Sequence, residues 1–376
     1  MKFADVIGHS DIKKRLINAI RENRVSHAIL FAGPEGNGGL QMAIAFAQYI
    51  HCSNKTETDA CGKCPSCLKF EKYIHPDHHF VFPTVNTEGS RKQSSNDFLP
   101  QWREMLHEQG YFSLNNWTEK ISNENKQTGI FEHESSEILR KINLKPFESD
   151  LKTMIIWLPE KMNETVSNKI LKILEEPPLK TYFILVSENP GMLLKTILSR
   201  CQLTHVPPID AESLVAGIRA KFPDVENPEI IARMAAGNFV KAGEFIRENE
   251  NERDNFAYFK SLIELVQKND VINLVGWSAQ MATLGREKQK SFFNLSLNLI
   301  RNSFVYNLTQ NTALLYQNTE QQEFSKRMNA FFNQANCDRL AQLFNAGASN
   351  IESNGNANII FLDTALKLRP LLKAGA

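Results

Sequence analysis

One segment of the chain most constrains its fold: an apolar run that enters a glycine-rich turn and leaves it as a helix. Residues 27–33 alternate little in polarity and predict a short buried strand. Residues 41–50 carry alanine and apolar side chains at helical spacing. Between them lie the eight residues Gly33-Pro34-Glu35-Gly36-Asn37-Gly38-Gly39-Leu40. This order is typical of a phosphate-binding P-loop in a sheet of parallel strands.

The loop keeps the glycines of that pattern but lacks its reactive side chains. Gly33 and Gly38 fit the pattern G-x-x-x-x-G-K-[ST], whereas Gly39 takes the lysine position and Leu40 the hydroxyl position. Neither residue can grip the β- and γ-phosphates or bind Mg²⁺. The backbone at Gly33, Gly36, Gly38 and Gly39 is still a candidate anion-binding site. The alternative is a glycine-rich turn that binds nothing.

A second buried strand favours a degenerate ATPase domain over a chance glycine turn. Residues 152–158 begin polar and continue as an apolar run. In P-loop ATPases the equivalent strand ends in acids that hold Mg²⁺ and polarise the attacking water. Here the strand ends in Trp157-Leu158-Pro159, and Glu160 comes too late to take that place. We therefore expect no ATP hydrolysis by this chain.

Four cysteines lie close together in the sequence. Cys52, Cys61, Cys64 and Cys67 form the pattern C-x8-C-x2-C-x2-C, with turn residues between them. Two-residue spacings of this kind let thiolates wrap one tetrahedral ion, so the pattern predicts a structural Zn²⁺ site with no open position for catalysis. The alternatives are four reduced cysteines in a loop and a redox-active pair. The flanking histidines have surface or packing roles in this interpretation.

Composition excludes several classes of protein. With 376 residues, two or three domains are expected. A net charge of +1 argues against a chain that coats nucleic acid, and no apolar run approaches the roughly 20 residues of a spanning helix. Residues 1–5 carry no secretory signal, so a cytoplasmic protein is expected. Six lysines form either a local basic surface near DNA or ordinary solvated helix faces, and the sequence does not decide between the two. They are Lys141, Lys145, Lys152, Lys161, Lys169 and Lys172.

Several stretches together resemble the clamp-loader subunits of bacterial DNA polymerase III, an AAA+ family. Covering roughly residues 1–82 and 131–245, the resemblance is carried by Ile7-Gly8-His9, Ser26 to Pro34, the four-cysteine insert, His75-Pro76-Asp77, Glu137 to Arg140, Asn168 to Pro178, Tyr182 to Leu185 and Thr196 to Gln202. The stretches Leu-Glu-Glu-Pro-Pro and Ser-Arg-Cys are the most specific. Among these subunits the chain is most similar to one that does not hydrolyse ATP.

The resemblance implies both a role and partners. Arg200, next to Ser199, would act as an arginine finger on ATP held by a neighbouring subunit, as a guanidinium can clasp a γ-phosphate. The partners would be a motor subunit and a delta subunit in a five-membered ring, the sliding clamp and primed DNA, with no membrane. Polymerase activity would belong to the holoenzyme. In the motor subunit an arginine follows the lid glycine by three residues, but here Val240 follows Gly237.

The family also implies a domain order. We expect an α/β fold: a degenerate AAA+ P-loop-type parallel-sheet domain over 1–208 with a zinc module at about 51–68, a helical lid over 209–268, and an all-α collar for oligomerisation over 269–376. A break is expected at Asn350 to Asn356. Residues 84–130 exceed the family pattern, and Asn96 to Gln109 predicts an added helix. The alternative functions are an ATP-hydrolysing motor subunit and a stand-alone zinc-ribbon DNA-binding protein.

Overall fold

The computed structural model describes residues 1–85, 93–122, 128–178, 180–311, 319–353 and 355–373. The chain divides into two compact units, Met1–Phe245 and Ile246–Ala376. This division does not decide the three-domain boundaries after 208 and 268, which stay predictions. No helix among the described residues is long and apolar enough to cross a membrane.

The first unit is built on a five-stranded parallel sheet, which confirms the predicted α/β class. Its strands are β1 Ala28–Ala32, β2 His78–Val81, β5 Lys152–Trp157, β6 Thr181–Ser187 and β7 Gln202–His205, in the order β2-β5-β6-β1-β7. A separate antiparallel pair joins β3 Thr84–Val85 to β4 Thr128–Gly129. The central strands are buried on both faces, as their apolar runs require.

Helices cover both faces of the sheet. They are α1 Ser10–Arg21, α2 Gly39–His51, α3 Pro65–Glu71, α4 Leu99–Glu108, α5 Leu114–Ile121, α6 Glu132–Asn143, α7 Glu164–Glu175, α8 Lys195–Leu198, α9 Ala211–Lys221 and α10 Pro228–Ala235. Alternate residues of β1 enter different cores: Ile29 and Phe31 pack on the side of α1 and α2, while Leu30 packs on the side of α6 and α7. The period-two geometry of a strand requires this split.

The described part of the insertion over 84–130 packs on the edge of the sheet, while residues 86–92 and 123–127 lie outside the described residues. The predicted helix is present as α4. The next helix, α5, was not predicted from the sequence. The fully buried Trp102 of α4 stacks on Phe82 with ring centroids 4.1 Å apart. Trp117 of α5 donates its indole N–H to the Pro83 carbonyl at 2.8 Å. These contacts make the insertion a part of the core.

The second unit is helical throughout its described residues. It contains the end of α11 Phe239–Lys268, then α12 Val271–Ala282, α13 Arg286–Thr309, α14 Thr319–Met328, α15 Cys337–Glu352 and α16 Ala357–Lys373. Its core is rich in phenylalanine, and Phe293 stacks on Phe361 with centroids 5.0 Å apart. The all-α prediction for this region is confirmed. The predicted break falls between α15 and α16.

Candidate functional site

The loop after β1 requires glycine at two of its positions. Gly36 and Gly38 have φ of +71° and +91°. Residues that carry a Cβ rarely adopt such positive φ angles. A Cβ on Gly36 would lie 1.8 Å from Asn238 Oδ1, so only glycine fits there. The Phe239 amide donates to the Gly36 carbonyl at 3.0 Å. The segment after α10 therefore sits directly on the loop.

Asn37 uses part of the loop's hydrogen-bonding capacity. Its side-chain amide donates to the Val206 carbonyl at 2.6 Å, and its Oδ1 accepts from the Gly39 amide at 2.9 Å. His9 Nε2 bonds to the Asn37 carbonyl at 2.7 Å. In a working phosphate loop the backbone amides point at phosphate oxygens. Here the Gly39 amide already has an internal acceptor.

Apolar side chains fill the space in front of the loop. Leu40, Trp157 and Val240 are 5%, 2% and 3% exposed and all line this cleft. The remaining cavity is about 20 Å³, enough for roughly one water molecule. This cavity is too small for a triphosphate. Two further lining residues, Tyr111 and Phe112, come from the insertion, and the sequence pattern does not predict them. A second cavity of about 510 Å³ shares Tyr111 with it and is also lined by Ile7, Gly8 and Phe239.

Glu160 is used for a structural contact after β5. Its Oε1 accepts the amides of Glu188 and Asn189 at 2.8 and 3.0 Å. Burial, together with the charges of Glu35 and Glu160, raises the pKa of Glu188 to about 8. Glu188 is therefore largely protonated at neutral pH. This edge of the sheet has carboxyl groups, but one of them carries no charge under ordinary conditions.

The four cysteines converge. Their sulfur atoms all lie within 4.8 Å of one another, with Cys61 to Cys67 at 3.9 Å and Cys52 to Cys64 at 4.0 Å. A regular tetrahedron with Zn–S bonds of about 2.3 Å has sulfur atoms about 3.8 Å apart. The donor set and its spacing fit a tetrahedral thiophilic ion. These four residues can hold a metal ion.

Backbone amides point at the cysteine sulfurs. Cys61 Sγ accepts from the amides of Lys63 and Cys64 at 3.4 and 3.3 Å, and Cys64 Sγ accepts from the Cys67 amide at 3.4 Å. These amide bonds lower the pKa of Cys61. Burial pushes the pKa of Cys64 upward, but hydrogen bonds from Ser53 and from the Cys67 amide outweigh it and hold the pKa at about 6. Two of the four sulfurs are therefore prepared to be thiolates.

The neighbouring histidines lie outside the sulfur cluster and have packing roles. His51 bonds to Ser149 Oγ at 2.8 Å and to Thr153 Oγ1 at 3.0 Å. His75 and His78 pack against the Phe70 ring, each with centroids 4.9 Å away. Burial lowers the pKa of His51 to about 3, so its ring is neutral. Within the described residues the cysteines form the one group that can hold a metal ion.

Arg200 lies just beyond α8 and is about one third exposed. Its Nη2 pairs with Glu175 Oε1 at 2.5 Å, and its Nη1 donates to the Thr196 carbonyl at 2.9 Å. Ser199 Oγ donates to the same carbonyl at 3.1 Å. Glu175 belongs to the Leu-Glu-Glu-Pro-Pro stretch. The two most specific sequence motifs therefore meet in space.

Two of the six lysines predicted as a possible basic surface are buried, and a third is hydrogen-bonded within the unit. Lys141 and Lys152 are 7% and 4% exposed. Lys152 Nζ donates to the carbonyls of Ile142 and, at 2.6 Å, Leu144, so it caps the end of α6. Lys169 donates to Ser135 Oγ at 2.9 Å. The basic-surface interpretation is therefore wrong for Lys141 and Lys152, which are buried, while Lys145, Lys161 and Lys172 are exposed and that interpretation of them stays a prediction.

Comparison with known proteins identifies relatives of this chain. A family model described as DNA polymerase III, delta subunit, matches residues 8–210, just over half of the chain. The delta' subunit of Bacillus subtilis (strain 168) is 27% identical over 240 residues, which cover 64% of this chain and 59% of that protein. The delta' subunit of Haemophilus influenzae is 26% identical over 264 residues, covering 67% of this chain and 68% of that protein.

Subunits of other names also match. The tau subunit of Bacillus subtilis is 28% identical over 243 residues, covering 63% of this chain and 35% of that protein. This chain thus spans about three fifths of the Bacillus subtilis delta' subunit and about a third of the tau subunit. The family match over residues 8–210, together with the delta' relatives, shows that the chain belongs to the DNA polymerase III delta subunit family as a delta'-like member.

Proposed function

We propose that this chain is a non-catalytic, delta'-like subunit of the DNA polymerase III clamp loader. In this role it assists the ATP-driven loading of a sliding clamp onto primed DNA, together with a motor subunit and a delta subunit in a five-membered ring in the cytoplasm. The single observation that carries the proposal is a family match over a domain whose phosphate loop has lost its lysine and hydroxyl at Gly39 and Leu40.

The site geometry supports a subunit that leaves ATP hydrolysis to others. The cleft has a cavity of only about 20 Å³, and β5 ends in Trp157 and Leu158 where a P-loop ATPase has acids. Gly33, Gly36, Gly38 and Gly39 then serve the shape of the loop. Mg²⁺ has no ligand side chain at position 40.

Arg200 is the residue proposed to act on a neighbour's nucleotide. It is exposed, and its partner Glu175 is nearly half exposed. A planar guanidinium can leave this pair and grip a γ-phosphate bidentately, which stabilises charge in the transition state. Ser199 helps to position the turn through its bond to Thr196. In this proposal Arg200 completes the ATP site of a neighbouring subunit, while this chain has no working ATP site of its own.

The cysteine cluster is proposed to bind one structural Zn²⁺. Four thiolates close the coordination shell, so the ion would fix the chain between α2 and α3 and carry out no reaction. Cys64 is also the N-cap of α3, since its sulfur accepts from the Cys67 amide. Ion binding and the start of that helix are thus linked.

Two other functions are less well supported. A tau- or gamma-like motor subunit would need the lysine, the strand-end acids and an arginine near Val240, all of which are absent. A stand-alone zinc-ribbon DNA-binding protein would need a basic surface, but the net charge is +1 and two of the candidate lysines are buried.

Reconstitution with purified motor and delta subunits tests the proposal. Native mass spectrometry should show one copy of this chain in a five-membered ring, and the ring should load clamps on primed DNA only when the chain is present. Assembly of a complete, active clamp loader that excludes this chain would contradict it. The same assembly measurement is repeated with chain purified with chelator and with chain purified without it.

A further inference from the structure

The insertion reaches the phosphate loop through one short turn between α4 and α5. Gln41 of α2 donates its side-chain amide to the Gly110 carbonyl at 2.6 Å. Lys221 at the end of α9 donates to the Glu108 carbonyl at 3.0 Å. Gly110 itself has φ of +71°, which allows the sharp reversal. The turn is thus tied to the helix after the loop and to the helices that follow the sheet.

Tyr111 stands over the loop itself. Its hydroxyl accepts the Ile7 amide at 2.9 Å and lies 3.2 Å from where a Cβ of Gly38 would be. Its ring packs on Phe239 with centroids 4.9 Å apart. Burial raises the pKa of Tyr111, so the hydroxyl stays protonated. One side chain therefore contacts the N-terminal segment, the glycine loop and the start of α11.

Phe112 fills the inner end of the same cleft. It is 5% exposed and packs edge-on against Trp157 and Trp102, with centroids 5.4 Å away in both cases. Trp157 is the residue that replaces the strand-end acid. The insertion and the altered strand end therefore form one apolar contact. Truncating either ring would enlarge the cavity beside the loop.

We infer that the turn Gly110 to Phe112 is a built-in occupant of the former nucleotide cleft. Tyr111 and Phe112 fill the space in front of the glycines, so the loop has no room for a triphosphate. They also hold the α9–α10 helices and the start of α11 against the sheet, a task for which a nucleotide-binding domain uses its ligand. The insertion thus serves as a permanent internal ligand.

The matched variants separate this role from general packing. Tyr111→Ala/Phe112→Ala removes both rings, and Tyr111→Phe removes only the bond to the Ile7 amide. Phe147→Ala is the control, because Phe147 is 82% exposed and an equal truncation there opens no cavity. All variants are made in the full chain and checked by far-ultraviolet circular dichroism. Tyr111→Phe keeps the inference testable if the double variant does not fold.

Hydrogen exchange read by mass spectrometry gives the decisive measurement. In the double variant we expect amides over 33–41 and 209–245 to exchange roughly tenfold faster, because local opening costs less. Tyr111→Phe should speed exchange near Ile7 only, and Phe147→Ala should change neither region. Adding ADP or ATP with Mg²⁺ to the wild type should change nothing.

Two results would overturn the inference. One is wild-type exchange over 209–245 in a folded double variant, which would mean that the rings do not restrain these helices. The other is nucleotide-induced protection of residues 33–41 in the wild type, which would mean that the cleft is open. Both measurements use the chain alone, so they stand or fall separately from assembly of a clamp loader.

Discussion

Arg200 is restrained near the surface by the Glu175 carboxylate and by the Thr196 carbonyl. Its side chain is 33% exposed and that of Glu175 is 48% exposed. Exposed ion pairs of this kind contribute about 0–1 kcal/mol, so opening the pair costs little. A strong new contact with a neighbour's phosphate would exceed that cost. In the proposed role, Arg200 would leave this pair at little cost to contact that phosphate.

Replacing Arg200 should slow ATP hydrolysis on another polypeptide. An arginine finger in trans is worth roughly 10³–10⁵ in rate at its own site, and a ring with several sites should show a smaller loss. Arg200→Ala should leave assembly intact and lower DNA- and clamp-stimulated ATPase of the reconstituted ring. Arg200→Lys should rescue poorly, since an ammonium lacks the planar fork.

The control for Arg200 is Arg219→Ala. Arg219 is also exposed and also paired, with Glu229. It should assemble and hydrolyse ATP normally. If Arg200→Ala rings hydrolyse ATP and load clamps at the wild-type rate, Arg200 is a surface ion-pair residue and no more.

Glu188 predicts a pH dependence of stability. Burial raises its pKa to about 8 in the folded chain, against 4.5 for an ordinary glutamate. A raised carboxyl pKa means that folding favours the protonated form. The stability it contributes is therefore fully present below pH 4.5 and is lost as pH rises through 8. Glu188→Gln should flatten the fall in Tm between pH 5 and pH 9.

Thermal unfolding across pH measures this effect. Glu176→Gln is the control for loss of one negative charge, because the Glu176 carboxylate is exposed. At pH 9 the Glu188→Gln chain should melt above the wild type, while the Glu176→Gln chain should not. Parallel curves for wild type and Glu188→Gln over the whole range would show that Glu188 ionises freely.

At the scale of elements, local sequence patterns correctly predicted the strand, turn and helix around the glycine loop. β1, the glycine turn and α2 follow from an apolar run, glycines that need positive φ, and alanines at helical spacing, all within 25 residues of one another. The cysteine cluster is equally local. Its two-residue spacings place amides against sulfurs in a way that depends little on the rest of the chain.

Features made by distant contacts could not be predicted. Nothing near Tyr111 indicates that its hydroxyl meets the Ile7 amide, more than 100 residues away. Lys141 and Lys152 look like surface lysines, because burial of a lysine depends on carbonyls that the fold brings to it. α5 is short and largely polar, and packing of Trp117 under Pro83 stabilises it.

The cysteine module should depend on its metal. We expect one Zn²⁺ per chain by elemental analysis of protein purified without chelator. Cys61→Ser should lose the ion and lower Tm by at least about 4 °C, the shift for roughly 1–2 kcal/mol in a domain of this size. Cys201→Ser is the control, since Cys201 lies outside the cluster. Full stability of a zinc-free chain would make the module a simple reduced loop.

At the scale of the whole molecule, the residues that argue against ATP hydrolysis come from distant parts of the first unit. Gly39 and Leu40 come from the loop, Trp157 from β5, Val240 from α11 and Tyr111 from the insertion. They are far apart in sequence and meet around one cleft. A site altered at so many points should not be restored by repairing one of them.

The last prediction follows from that distribution. The wild-type chain should hydrolyse ATP far below about 1 s⁻¹, the low end of ordinary enzyme rates. Gly39→Lys/Leu40→Thr rebuilds the loop pattern, yet it should gain no activity, because Tyr111 and Phe112 still fill the cleft and β5 still ends in Trp157 instead of an acid. Turnover by radiolabelled ATP, with a motor subunit as positive control, measures both. Activity gained from the two substitutions alone would mean that only the loop, and not the filled cleft, silences this subunit.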